Sequence, residues 1–396
     1  MKVFITGIGA ISGIGQGLEE HLASFRSGQH GLGKITLFPT RHDVPVSEVK
    51  ATNDNLKERL AVPRQQTLSR TALLGITAAQ EAWQDAAIAT TNGLRVGLIS
   101  ANSTGGMDLS EQFYPLFRED NSRGRLHHVA SHDAADSTER IASYLGLTGF
   151  RTTISTACSS AANALMLGAR MIRQGLLDVV IAGGTDALCK FTLNGFSSLM
   201  IVDREPCRPF DASRAGLNLG EGAGYVVLQS EKSLHKQPYA ELCGYANSND
   251  AYHQTASSPD GTGAWLAMKN ALEIAGIGPE EVDYINAHGT GTPNNDASES
   301  QAIYRLFGDR IPPFSSTKAF TGHTLGAAGG LEAVFSVLAI QRGIYYPNLN
   351  FTTPIEETGL VPVTTYSEQN PIRTVVSNSF GFGGNNTSLV FRQINR

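Results

Sequence analysis

A cysteine, two histidines and a lysine are the residues of this sequence best placed to do chemistry. Cys158 stands in Ile154-Ser-Thr-Ala-Cys-Ser-Ser-Ala-Ala-Asn-Ala-Leu-Met-Leu-Gly-Ala-Arg-Met-Ile-Arg-Gln-Gly175, which reads as a strand end, a tight turn and a helix of small residues. A thiol at a helix N-terminus meets unpaired N–H groups and the positive end of the helix dipole, both of which favour thiolate. Taken alone, the segment fits a small buried hydrophobe at least as well, because most free cysteines are that. Val282-Asp-Tyr-Ile-Asn-Ala-His288 delivers a histidine from a buried strand into a loop of small and hydroxyl residues. Phe314-Ser-Ser-Thr-Lys318-Ala-Phe-Thr-Gly-His323 adds a lysine-bearing loop and a second histidine at the start of a helix that carries Glu332. Both histidines follow apparent strand ends, where open α/β sheets place their sites. Singly each is more often structural. Together with a candidate thiolate they form a nucleophile with groups that handle protons and stabilise anions.

Strands and helices must bring these segments together from 165 residues apart, counted from Cys158 to His323. Apolar runs at Lys2 to Ile11, Arg95 to Ser100, Val179 to Ala182 and Tyr225 to Gln229 read as strands, and Leu68 to Ala87 as a helix. Near Pro238 the organisation restarts, with strands at Glu241 to Asn247, Val282 to Asn286, Pro313 to Ser316, Thr374 to Asn378 and Thr387 to Phe391. Helices are expected at Ala264 to Ala275, Ala297 to Phe307 and Leu325 to Arg342. Glycine-rich Gly220 to Gly224 leading into Tyr-Val-Val-Leu parallels Gly381 to Gly384 leading into Ser-Leu-Val-Phe. This suggests a duplicated α/β fold with halves at 1–237 and 238–396.

With 41% hydrophobic and 17% charged residues over 396 positions, the chain is ordinary globular material. A net charge of -5 gives no whole-molecule attraction to nucleic acid or to an anionic membrane. The first residues lack the pattern of a signal peptide. Cys158, Cys189, Cys207 and Cys243 fit neither a zinc site nor a disulfide framework, which points to a reducing, cytoplasmic setting. His128 and His132 have helical metal-ligand spacing without a carboxylate frame, so no metal is expected. Gly7-Ile-Gly9-Ala-Ile-Ser-Gly13 has the wrong spacing for a dinucleotide loop and reads better as a tight turn.

Four motifs carry a resemblance: Thr156-Ala-Cys158-Ser-Ser, Asn286-Ala-His288-Gly-Thr-Gly-Thr-Pro, Ser316-Thr-Lys318-Ala-Phe-Thr-Gly-His323-Thr-Leu-Gly-Ala-Ala-Gly-Gly, and Asn378-Ser-Phe-Gly-Phe382-Gly-Gly. In order and along essentially the whole chain, the sequence resembles the elongating β-ketoacyl-[acyl-carrier-protein] synthases. The resemblance implies a thiolase-like fold, duplicated halves in a five-layered αβαβα arrangement, and a homodimer, with a heterodimer with a chain-length-factor-like subunit as the alternative. It implies no resident cofactor, the substrates being carried on the phosphopantetheine of acyl carrier protein. Cys158 would take the acyl group. His288 and His323 would assist decarboxylation of a malonyl unit, Lys318 would hold His323, and Glu332 would support that network. The Cys158 and Phe382 N–H groups would hold the oxyanion. Phe382 would gate the acyl pocket, Thr290 and Thr292 would bind the phosphopantetheine arm, and Ser110 would line the acyl pocket. Ala215 stands where aspartate is usual, Gly291 where serine is common and Asn385 where threonine is frequent, which suggests a polyene-type or other secondary pathway. Lys57, Arg59, Arg64 and Arg70 are candidates for docking an acidic carrier protein. A thiolase would need a second cysteine near the C-terminus, where none occurs, and a non-catalytic chain-length factor would lack Cys158.

Overall fold

The computed structural model describes residues 1–394. Its main sheet runs through both halves of the chain. In the first half β1 (Val3–Ser12), β2 (Val96–Ala101), β3 (Phe150–Ile154), β4 (Val179–Asp186) and β5 (Gly222–Ser230) lie in the spatial order β3-β2-β4-β5-β1. In the second half β6 (Ala240–Asn249), β7 (Tyr284–Asn286), β8 (Phe314–Ser315), β9 (Thr374–Gly381) and β10 (Asn385–Arg392) lie in the order β8-β7-β9-β10-β6. Counted from the first strand of each half the two orders are identical, and so is the pattern of parallel and antiparallel pairs. The expected duplication is thus present in the topology. The two sheets are also joined edge to edge, where β1 pairs with β6 at Phe4↔Glu241 and Ile5↔Ala240.

Helices fill the layers on either side. Of those that frame the site, α1 (Arg70–Ala86), α2 (Met107–Glu119), α3 (Ser160–Arg173) and α4 (Lys190–Ser198) belong to the first half. The second half supplies α5 (Thr262–Ala275), α6 (Pro293–Phe307) and α7 (Ala328–Arg342). Helix α1 covers the outer face of the first sheet and α5, backed by α6, covers that of the second. Between the sheets α3 packs on β4 and β2, α7 packs on β5 and β9, and the two helices meet. The largest apolar cluster lies here, where Leu165 and Ile172 of α3 and Val334, Phe335 and Val337 of α7 are fully buried. Helix α7 is apolar on nearly every face, as a helix enclosed on all sides must be.

The N-terminal glycines are a correction. Gly7 and Gly9 lie inside β1, not in a turn, and a Cβ on either would overlap the backbone of α1, at Ala82 O and Ala78 O respectively. Their role is to let α1 lie against the strand. Likewise Gly183 to Asp186 continue β4 instead of ending it. Helix α2, with Pro115 inside it and one buried side chain, gave too weak a pattern to read from sequence, and edge strand β3 is half exposed.

Gly9→Val places a branched side chain into the α1 backbone, an overpacking that costs about 3 kcal/mol. The urea midpoint is expected to fall accordingly; a midpoint equal to wild type contradicts this account of the glycines.

Candidate active site

The parallel strands of both halves end at one place. Cys158 follows β3, His288 follows β7, Lys318 and His323 follow β8, and Phe382 follows β9. Because β3 and β8 hold equivalent positions in their halves, Cys158 and the Lys318 to His323 loop face each other as counterparts. Between β3 and α3 the chain turns through Ala157, held at a φ of 53°, so that Cys158 stands just ahead of the helix. Ser160 fixes the turn: its Oγ accepts from Thr156 N at 2.8 Å and donates to Ala157 O at 2.5 Å. The small residues behind Cys158 are required by packing, since a Cβ on Gly329 of α7 would lie 2.9 Å from Ala162 N.

Cys158 Sγ lies 3.1 Å from His323 Nε2. The two imidazole rings, His288 and His323, are 5.4 Å apart and nearly perpendicular. Lys318 is not the support of His323 that the resemblance implied. Its Nζ donates to His288 Nδ1 at 3.2 Å and to His288 O at 2.6 Å, and it forms an ion pair with Glu332 Oε1. Since Nδ1 accepts, neutral His288 carries its proton on Nε2. His323 is held instead through its backbone, its N–H donating to Asn218 O at 2.7 Å and its carbonyl accepting from Gly220 N at 3.0 Å.

All of these groups are buried, and burial dominates their titration. Both imidazoles are held well below the ordinary histidine range, first by desolvation and then by the Lys318 cation, so both are neutral. Burial raises the Glu332 carboxyl while Lys318 opposes it. Burial also pushes the Cys158 thiol up to about 12; Lys318 and the Phe382 N–H pull it down, and Asp186 and Glu332 push it further up. The helix N-terminus, which favours the thiolate, works against that burial. Burial is the leading influence, and it holds the resting group toward the neutral thiol, opposing the helix effect expected from sequence.

Cys158, His288 and His323 open onto a cavity of about 290 Å³ that Phe382 also lines. Phe196, Met200, Ile201 and Leu217 give it apolar lining, and Thr290 and Thr292 give it hydroxyls. The Thr290 and Thr292 hydroxyls are 2.9 Å apart. Phe382 stacks on Phe196 with ring centroids 5.7 Å apart, and Gly381 brings the turn so close to the nucleophile that a Cβ there would sit 3.2 Å from Cys158 N. Ser110 does not line this cavity; α2 turns its hydroxyl toward His132 Nδ1 at 2.9 Å. Arg70 is no docking residue either, since it is buried and paired with Glu221 Oε1 at 2.6 Å. Lys57, Arg59 and Arg64 are on the surface or partly so. Among the described residues no group of three or more His, Cys, Asp or Glu side chains could hold a metal ion.

Three buried acids that position the site went unnoticed in the sequence. Asp186 ends β4 and accepts from Gly326 N at 2.7 Å and Ser103 N at 3.0 Å, pinning the turn that follows His323. Glu299 of α6 accepts from His288 N at 2.9 Å and Gly289 N at 2.8 Å, and Asp296 accepts from Thr290 N at 2.9 Å. The available signal was acids at i, i+3 early in a helix, right after a glycine-threonine loop; such acids bind the loop's free N–H groups.

Comparison with known proteins agrees with this geometry. Residues 1–233 match the family model described as beta-ketoacyl synthase, N-terminal domain, and residues 239–352 match beta-ketoacyl synthase, C-terminal domain. A 3-oxoacyl-[acyl-carrier-protein] synthase 2 of Staphylococcus aureus is 34% identical over 407 residues, covering 99% of this chain and 98% of its own. Among solved structures, the ishigamide ketosynthase/chain length factor superposes with a TM-score of 0.93 at 32% identity, covering 100% of this chain and 99% of that one. A ketosynthase (ApeO) in complex with its chain length factor (ApeC) from Xenorhabdus doucetiae gives 0.85 at 33% identity, with 99% and 98% covered. A buried cysteine against a neutral imidazole, with a second imidazole and a buried lysine beside it at the strand ends of a duplicated fold, thus has its family: this chain belongs to the beta-ketoacyl synthases, condensing acyltransferases of the thiolase superfamily.

Proposed function

We propose that the chain elongates an acyl group by decarboxylative condensation with a malonyl unit on acyl carrier protein, with Cys158 as acyl acceptor. The contact between Cys158 Sγ and His323 Nε2 carries this reading. His323, kept neutral, takes the thiol proton as the sulfur attacks the incoming acyl thioester, and gives it to the departing phosphopantetheine thiolate. This is a first task for His323, added to the one expected from sequence. In the second half-reaction the malonyl thioester occupies the cavity and its carboxylate leaves as CO2. Negative charge then develops on the thioester oxygen, where the Nε2–H of His288, oriented by Lys318, is a ready donor, and His323 becomes a second once its ring proton has moved to Nε2. Each such donor is worth about 3 kcal/mol. The enolate carbon attacks the acyl-Cys158 carbonyl, whose oxygen is received by the N–H groups of Cys158 and Phe382, and collapse expels the Cys158 thiolate, which takes up one proton from water, relayed through His323, to regain the resting thiol. A carbon–carbon bond forms and the carbon–sulfur bond breaks, leaving a 3-oxoacyl thioester on the carrier.

Thr290 and Thr292 are the proposed contacts for the phosphopantetheine amides. Residues 1–237 and 238–396 are proposed as the two halves of the catalytic unit. A second subunit of the same fold, another copy or a chain-length-factor-like partner, is the proposed assembly; exposed Tyr114, Phe117 and Leu126 on one flank and the ketosynthase/chain length factor structures above support it. Retention of Cys158 makes this chain the catalytic member of either pair. Four unpaired cysteines accord with a reducing cytoplasm. A secondary-metabolic product rests on the substitutions at Ala215, Gly291 and Asn385.

Incubation with an acyl-carrier thioester is expected to add one acyl mass to intact wild-type protein and none to Cys158→Ala; acylation of that variant, or condensation by it at the normal rate, would sink the mechanism. His323→Ala is expected to slow acylation about 100-fold at neutral pH, the ordinary contribution of a general base. Raising the pH should restore part of that loss by ionising the thiol directly. Wild-type acylation rates across pH in this variant would remove His323 from the first half-reaction.

A further inference from the structure

Beneath the first turn of α3 runs a seam of amides and hydroxyls that the chemistry above does not use. Its centre is Asn385, the first residue of β10 and three positions beyond Phe382. Asn385 Oδ1 accepts from Ser159 Oγ at 2.7 Å, Asn163 Nδ2 at 2.9 Å and Asn247 Nδ2 at 2.7 Å. Ser159 adjoins Cys158, Asn163 is one turn further along the helix, and Asn247 belongs to β6. Asn163 Nδ2 also reaches Thr156 Oγ1 at 2.9 Å, and its Oδ1 accepts from Thr387 Oγ1 at 2.9 Å. The far side of the glycine turn is tied too, with Asn249 Nδ2 donating to Gly383 O at 2.8 Å and Gly383 N donating to Gln254 O at 2.8 Å.

The Phe382 turn is therefore anchored at its exit by one side-chain oxygen that gathers donors from the nucleophile helix and from the neighbouring strand. An amide oxygen carries two lone pairs on a flexible, unbranched side chain and can collect such donors; a threonine hydroxyl is a bond shorter and must spend its own proton. We infer that Asn385 is a positioning residue that sets how readily the Phe382 turn swings, and so how strongly the enzyme discriminates among acyl chains at the loading step. The inference rests on Phe382 acting as the gate to the acyl pocket. On that reading a short acyl group would reach Cys158 with the ring where it stands, stacked on Phe196, whereas a long one would have to displace it. Holding the turn closed penalises the long chain alone.

The test measures Cys158 acylation by dodecanoyl and acetyl carrier-protein thioesters, read as intact mass against time. Asn385→Leu keeps the forked shape and accepts nothing. Its ratio of dodecanoyl to acetyl rate is expected to rise about tenfold over wild type, because three donors lose their shared acceptor in the closed state. Asn385→Asp, which still accepts from all three donors, is expected to keep the wild-type ratio. A merely structural defect lowers thermal stability and both rates together and leaves the ratio alone. If Asn385→Leu does not fold, Asn385→Thr takes its place in the comparison. Phe382→Ala separates the two levels. An unchanged ratio in Phe382→Ala overturns the gate and the inference with it. A changed ratio there with an unchanged one in the folded Asn385 variant, or an Asn385→Asp ratio that follows Asn385→Leu, overturns the role of Asn385 alone.

Discussion

The reacting contact crosses from one half of the chain to the other. Cys158 stands ahead of α3 in the first half and His323 on the loop before α7 in the second, and 3.1 Å separates sulfur from nitrogen. That distance can be held only if the two central helices approach closely, which is why α3 begins Ser-Ala-Ala and α7 begins Ala-Gly-Gly. A larger side chain at Gly329 would push α7 away from Ala162 and take the histidine with it. The small-residue stretches are thus a condition of the chemistry as well as of the packing.

Burial then determines the protonation of everything in the gap. Taking charge out of water costs more than a helix terminus returns, so the thiol and both imidazoles rest neutral. Neutral imidazoles suit the proposed reaction, in which one accepts a proton from sulfur and both in turn offer N–H groups to an oxyanion. The cation that the site does retain, Lys318, has its charge balanced by Glu332 and aims His288. An uncompensated charge at this depth would cost several kcal/mol.

Much of this was legible in the sequence. The strand ends bearing Cys158, His288, Lys318 and His323, and the repetition of the fold, follow from apolar runs punctuated by glycine. Pairing between side chains was harder. Whether Lys318 turns to His288 or to His323 depends on a few ångströms of loop geometry that no spacing encodes, and the structure chose His288. Arg70 was misplaced for a related reason: it lies on a helix whose face toward the protein is set by a distant partner, Glu221. Asp186 and Glu299 looked like ordinary polar residues, and Asn385 stood out only as a substitution. Their importance comes from burial, and burial depends on both halves at once.

The central claim is that the resting nucleophile is a buried neutral thiol that ionises only as His323 takes its proton. The rate of Cys158 alkylation by iodoacetamide, a small neutral reagent, measured against pH with release of a stoichiometric label, tests it most directly. The account predicts slow alkylation at neutral pH and a rate that climbs with pH without levelling off below about pH 9, as expected for a thiol held above its ordinary range. A plateau reached near pH 7 would mean a preformed thiolate and would contradict it.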